Sequence, residues 1–229
     1  MGKTEAIIFS SARVVLLVTC FCILLVSTSS AALFIGKNEN HVVQILPINV
    51  SCVGDSITEW SRYPAILQTM LGDRYKVGNF GVAGAAVSPS WYNSYVSQPE
   101  FYESKEFAPS IVVIMLGTND AHTSQSGSDF PYEYKKLVSE YQSLPSHPRI
   151  LLVEPPPIYD NELELNDTHL DGYVIPGIGQ VAYELGLPTV DVNGALASHP
   201  EFFDDGVHPN GEGALAIASE VIENIGFEN

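Results

Sequence analysis

Five short apolar runs punctuate the chain, at residues 45–53, 75–80, 111–116, 150–153 and 188–192, and Gly, Asn, Asp or Pro follows each. Runs of this length closed by turn residues read as strands. Their hydrophobicity is continuous rather than alternating, which suits strands covered on both faces of a parallel sheet. Helical spacing fills the intervals. It is clearest at the end, where Leu215, Ala218, Val221, Ile222 and Ile225 form a stripe, Asn210 precedes it as a cap and Gly226 stops it. Residues 132–144 carry Tyr134, Leu137, Val138 and Tyr141 at similar spacing. Ser56 and Glu59 stand three apart, as in a reciprocal helix cap. Pro64 disfavours an α conformation at Tyr63, so the pattern predicts one short turn from Ser56, a break, and a helix from Pro64 to about Leu71. Strands alternating with helices predict an α/β fold of three layers, α/β/α, around a central, mostly parallel, five-stranded sheet.

The first 32 residues stand apart from this pattern. Lys3 and Arg13 make a positive front, residues 14–26 are almost wholly apolar, and residues 27–32 are small enough for cleavage. The apolar stretch is short beside the roughly 20 residues of a membrane span, so the expectation is a cleaved signal peptide over 1–32, with an uncleaved signal anchor as the alternative, a lead-in over 33–44, one folded domain over 45–229, and a secreted product without stable membrane association. Losing Lys3, Arg13 and Glu5 would leave eight basic against 26 acidic residues, a net of −18. That balance argues against nucleic acid or an anionic membrane surface as partner. Cys52 would be the one cysteine left, which excludes an internal disulfide and a cysteine-built zinc site, and its apolar surroundings point to a buried, inert thiol. Sequons occur at Asn49 and Asn166; Asn166, in the acidic stretch, is the better acceptor.

The informative polar clusters fall just beyond predicted strand ends, the edge where open parallel sheets bind ligands. The first strand delivers Gly54, Asp55 and Ser56, the second Asn79, Gly81 and Gly84, the third Gly117, Thr118, Asn119 and Asp120. Acyl transfer needs a nucleophile, a base, a group that orients the base, and donors for the developing oxyanion. Ser56 can supply the hydroxyl and His208 can take its proton. Asp205, three residues earlier, can reach the far ring nitrogen. The N–H groups of Ser56 and Gly81 and the amide of Asn119 can serve as donors. A histidine base implies that activity falls in acid.

With "GDSIT" at 54–58, "NFGVAG" at 79–84, "GTND" at 117–120 and "DGVHP" at 205–209, the chain resembles the SGNH hydrolases of the GDSL esterase superfamily, whose fold is flavodoxin-like. The blocks stand in the family's order, and the resemblance spans nearly all of residues 50–225. It implies Ser56 as nucleophile, Asp205 and His208 on one loop, Ser56, Gly81 and Asn119 as the oxyanion hole, and no cofactor or metal. "ILLVEPPPIY" and "HPEFFDDGVHPNGEGA" look most like sialate and xylan O-acetylesterase-type members, which implies a glycan or small-molecule ester as substrate. A lysophospholipase or thioesterase, and a noncatalytic carbohydrate-binding protein of the same fold, are the alternatives.

Several residues also have plainer readings. Ser56 could be only a cap, Asp55 more readily holds a turn than does chemistry, and Asp204 reads as a solvated carboxylate. Substrate-binding candidates are Trp91 and Tyr92, whose faces could stack on sugar or simply pack, and His122 at the rim. Residues 162–171 read by default as a solvated acidic loop.

Overall fold

The structure, a computed structural model, describes residues 46–122 and 129–226; the signal peptide and lead-in expected over 1–44 lie outside them. The strands are β1 (Ile48–Gly54), β2 (Tyr75–Gly81), β3 (Ile111–Met115), β4 (Arg149–Val153) and β5 (Thr189–Val190). They pair in the order β2-β1-β3-β4-β5, and every pairing is parallel. Gly54 is in register with Gly81 on one side and Met115 on the other. The carboxyl ends of β1, β2 and β3 therefore finish level, and the polar clusters begin at one edge.

The unbroken apolar runs follow from a sheet buried on both faces. In β3, Val112 and Ile114 join one core cluster while Ile111, Val113 and Met115 join another. On the first face lie α3 (Pro99–Glu106), α4 (Phe130–Gln142) and α5 (Ile175–Leu185), through Phe101, Tyr134, Leu137 and Ile178. On the second lie α2 (Tyr63–Leu71), α6 (Val192–Leu196) and α7 (Gly211–Ile225), through Leu67, Leu196, Ile217 and Val221. This is the expected three-layer α/β/α arrangement. Fully burying an aliphatic side chain is worth roughly 1.5–3 kcal/mol, so strands with both faces covered form the most firmly specified part of the molecule.

The break after Ser56 is real, but it sits slightly earlier than Pro64 suggested. α1 (Ser56–Trp60) stops, Arg62 adopts the left-handed region at φ 68, and α2 begins at Tyr63 with the proline in its first turn. Asp55, not Ser56, caps α1: its Oδ1 accepts the Ile57 N–H at 2.9 Å. Glu59 does not complete the reciprocal cap either, because its Oε2 accepts the Ala83 N–H at 2.6 Å. In α7 the Asn210 cap and the Gly226 stop stand as expected. The buried stripe, however, is Ala214, Ile217, Ala218, Val221 and Ile225, and Leu215 is half exposed. Leu215 lies one residue, about 100° around the helix, from Ala214, so a small residue occupies the face that the leucine was expected to fill.

Cys52 is fully buried, and burial pushes its thiol up to about 12. Asn49 donates its side-chain amide to the Phe107 carbonyl at 2.7 Å, which removes it as an accessible glycosylation acceptor. Among the described residues no helix is long and apolar enough to cross a membrane.

Candidate active site

Local physics at the end of β1 fixes the position of Ser56. The Asp55 cap starts α1, which makes Ser56 the first helical residue. Its N–H consequently has no acceptor within the helix. The Ser56 Oγ lies 2.9 Å from His208 Nε2, and His208 Nδ1 lies 2.6 Å from Asp205 Oδ2. Residues 152 apart in the chain thus form one relay. An ionised carboxylate can only accept, so Nδ1 must carry its proton toward Asp205, and the Nε2 lone pair is left for the serine hydroxyl.

The loop carrying Asp205 and His208 is tied down at several points. Asp205 Oδ1 accepts the Val207 N–H at 2.9 Å and the His208 N–H at 2.7 Å. Gly206, at φ 81, accepts the Tyr159 N–H on its carbonyl at 2.8 Å, and a Cβ there would fall on the Asp160 carbonyl oxygen. Only glycine fits both that conformation and that approach. Partial burial raises the Asp205 carboxyl, but the bonds from the His208 N–H, the imidazole and the Val207 N–H outweigh it and hold the group below the usual carboxylate range. Its charge is therefore available to an imidazolium.

Ser56 and His208 line a cleft of about 350 Å³ together with Asn119, Trp91, Tyr92 and His122. Asn119 Nδ2 donates to the Ala85 carbonyl at 2.9 Å, which uses one amide proton and leaves the other. Trp91 donates Nε1 to the Gly84 carbonyl at 3.1 Å and packs on His122 with ring centroids 5.3 Å apart. Tyr92, 85% exposed, stands at the mouth. Beneath these residues two buried carboxyls hold the turns. Asp120 accepts the Val87 N–H at 2.9 Å and the Ser88 N–H at 3.0 Å, and burial raises it to about 6. Asp55 is raised by burial to about 7, only partly offset by the Ile57 N–H. Asp55 does hold a turn, as its plainer reading had it.

Gly81 does not stand where the sequence reading put it. It is absent from the cleft lining, its N–H donates to Asn79 Oδ1 at 3.0 Å, and a Cβ there would fall on the Glu59 nitrogen and within 2.8 Å of the Asp55 carbonyl oxygen. Gly81 lets the end of β2 pack against the start of α1. Gly84 lines the cleft instead, at φ 72, and among the described residues its N–H has no acceptor. The glycine N–H left available in the cleft lining is thus that of Gly84, while that of Gly81 is engaged by Asn79. Sequence reasoning also missed Trp60, which lies one helical turn beyond Ser56, and Leu163, Leu165 and Val207 in the cleft wall, whereas Thr118 lines it as part of the cluster expected after the third strand. The acidic stretch is accordingly more than a solvated loop. Asn166 caps the helical turn Asp167–His169 by accepting the His169 N–H at 2.9 Å, and the two leucines before it turn to the site. Among the described residues no group of three or more His, Cys, Asp or Glu is arranged to hold a metal ion.

A parallel sheet with a serine, histidine and aspartate relay at its carboxyl edge is the architecture of a lipase/acylhydrolase. The chain belongs to the GDSL-like lipase/acylhydrolase family, whose model matches residues 52–216. It is 31% identical over 199 residues to an acetylxylan esterase of Xylanibacter ruminicola, covering 75% of this chain and 42% of that protein. A GDSL esterase/lipase of Arabidopsis thaliana is 27% identical over 136 residues, covering 50% of this chain and 53% of that protein. The chain thus spans about half the length of the curated relatives it matches. Among solved structures, a carbohydrate acetylesterase from Sinorhizobium meliloti superposes with TM-score 0.64 at 18% identity, covering 78% of this chain and 98% of that one.

Proposed function

We propose that this chain is a serine esterase that removes short acyl groups, acetyl above all, from carbohydrate hydroxyls. The observation that carries the reading is the 2.9 Å contact of Ser56 Oγ with His208 Nε2, on a ring whose other nitrogen is held by Asp205. Ser56 Oγ attacks the ester carbonyl carbon as Nε2 takes its proton. The N–H groups of Ser56 and Gly84 and the remaining amide proton of Asn119 receive the negative charge that develops on the carbonyl oxygen. Collapse expels the sugar alcohol with the proton from Nε2. A water, deprotonated in turn by Nε2, then frees the acid and restores Ser56. Asp205 stays ionised throughout and balances the imidazolium.

A cleft of about 350 Å³ stands near the lower end of ligand pockets, roughly 300–1,000 Å³, which supports a short acyl group over a long lipid chain. The names of the Xylanibacter and Sinorhizobium proteins support an acetylated carbohydrate. The charge and apolar pattern of residues 1–32 supports export, and the mass of the product recovered outside the cell tests cleavage there. For the chemistry, wild type and Ser56→Ala are compared on acetyl and decanoyl esters of nitrophenol. The acetyl ester should be the faster substrate, and the alanine variant should lose roughly a thousandfold or more in kcat. A Ser56→Ala protein with full activity overturns the proposal.

A further inference from the structure

We infer that the cleft receives esters of uncharged sugars, stacked on Trp60, and turns away esters of sugars that carry a carboxylate. This rests on the esterase reading above, and two features of the cleft beyond the relay support it.

The first is where the leaving alcohol must lie. His208 Nε2 delivers the proton to the departing oxygen, so the sugar ring bearing that oxygen sits beside the imidazole. The group flanking the imidazole there is Trp60. α1 carries Ser56 and Trp60 one turn apart, hence on the same helix face. The indole and imidazole centroids are 5.2 Å apart at 45°. Trp60 is 57% exposed, so much of its surface is open at the cleft mouth. The apolar C–H face of a sugar ring offers indole both burial and a partner for its negative π surface. Trp91 has no such freedom, since its Nε1 is bound to the Gly84 carbonyl and its ring packs against His122 and Tyr92.

The second feature is charge. The described residues bring neither Lys nor Arg to the cleft lining, and residues 123–128, beside it in sequence, contain none. Arg62, two residues beyond Trp60, is not among the lining residues. The nearby charges are negative: Asp205 in the relay, and Glu164, 3.7 Å from His122 Nε2. Leu163 is shared with a neighbouring cavity walled by Asp160, Glu162, Asp204 and Asp205. A sugar carboxylate entering here would lose water, gain no Lys or Arg partner, and face like charges. A neutral sugar meets none of these penalties.

The test compares wild type, Trp60→Ala and Trp60→Phe on three acetyl esters: ethyl acetate, acetylated xylooligosaccharides, and acetylated oligogalacturonides. Trp60→Ala should lose about tenfold or more in kcat/KM on the xylooligosaccharides relative to its loss on ethyl acetate, and Trp60→Phe should recover most of that difference. Wild type should favour the neutral over the anionic oligosaccharide by about tenfold or more, with the gap narrowing as salt rises. Equal losses on ethyl acetate and oligosaccharide, no loss on either, or equal rates on neutral and anionic sugars would overturn the inference. Ethyl acetate turnover dependent on Ser56 would leave the esterase reading intact in each of those cases, so the two can fail separately.

Discussion

Asp120 and Asp205 use nearly the same hydrogen-bond pattern for opposite ends. Each accepts two backbone N–H groups, from Val87 and Ser88 in one case and from Val207 and His208 in the other. Asp120 spends one oxygen on each donor and is 2% exposed. Asp205 places both donors on Oδ1, keeps Oδ2 for the imidazole, and has a side chain 53% exposed. Burial accordingly raises the first carboxyl to about 6, while bonding holds the second below the usual range. A carboxylate with a spare oxygen in partial contact with water keeps a charge it can lend to catalysis. One with neither becomes a clamp on the loop that leads from Gly84.

The sharpest way to break this comparison is Asp205→Asn. An amide at the spare position can present N–H to the ring and invite the wrong tautomer, so kcat should fall by roughly 10²–10⁴ with little change in melting temperature. A loss under tenfold would show that His208 does not depend on Asp205. Next in size comes Asn119→Ala, which removes the proposed oxyanion donor from the clamped side of the cleft and should cost roughly 10²–10³ in kcat. A change confined to KM would place Asn119 in substrate binding instead.

What the sequence disclosed follows the same division between burial and approach. The strands were legible because a sheet covered on both faces needs unbroken apolar runs, and α4 because Tyr134, Leu137, Val138 and Tyr141 all bury one face. α3 was missed because only Phe101 and Ser104 of its eight residues are buried, and α5 because Pro176, Gly177 and Gly179 look like breakers. Ser56, Asp205 and His208 were legible from chemistry, since few residue types can do their work. Gly81 and Gly84 were not separable in this way. Both follow an apolar run, and only the approach of α1 to β2 decides which is packed and which faces the cleft. Trp60 was hidden for a related reason: its place beside His208 depends on α1 running unbroken through residue 60. Leu163 and Leu165 were masked by the acidic residues around them.

The smallest predicted effect sharpens the comparison most, because it reads the buried clamp directly. Asp120→Asn keeps one acceptor and sets an amide N–H against the other backbone donor, so stability should fall by about 1–3 kcal/mol, with a modest loss of kcat as the loop loosens. The informative readout is its pH dependence. The Asp120 carboxyl binds its proton more tightly folded, at about 6, than an unfolded carboxyl does at roughly 3.9. Between those values the native state holds more protons than the unfolded one, so this group's contribution to stability declines as pH rises through the window and levels off above it. Asp55, raised to about 7, extends the decline upward. Asp205 acts in the opposite sense: its contribution is present above the unfolded value and is lost only as pH falls toward its lower folded one. Denaturant titrations from pH 4 to pH 8 should therefore show wild type losing stability across the range and Asp120→Asn losing less, with the two curves converging toward neutral pH. Parallel curves would mean that Asp120 is already ionised at pH 4, and burial would then not be what separates the clamp from the relay.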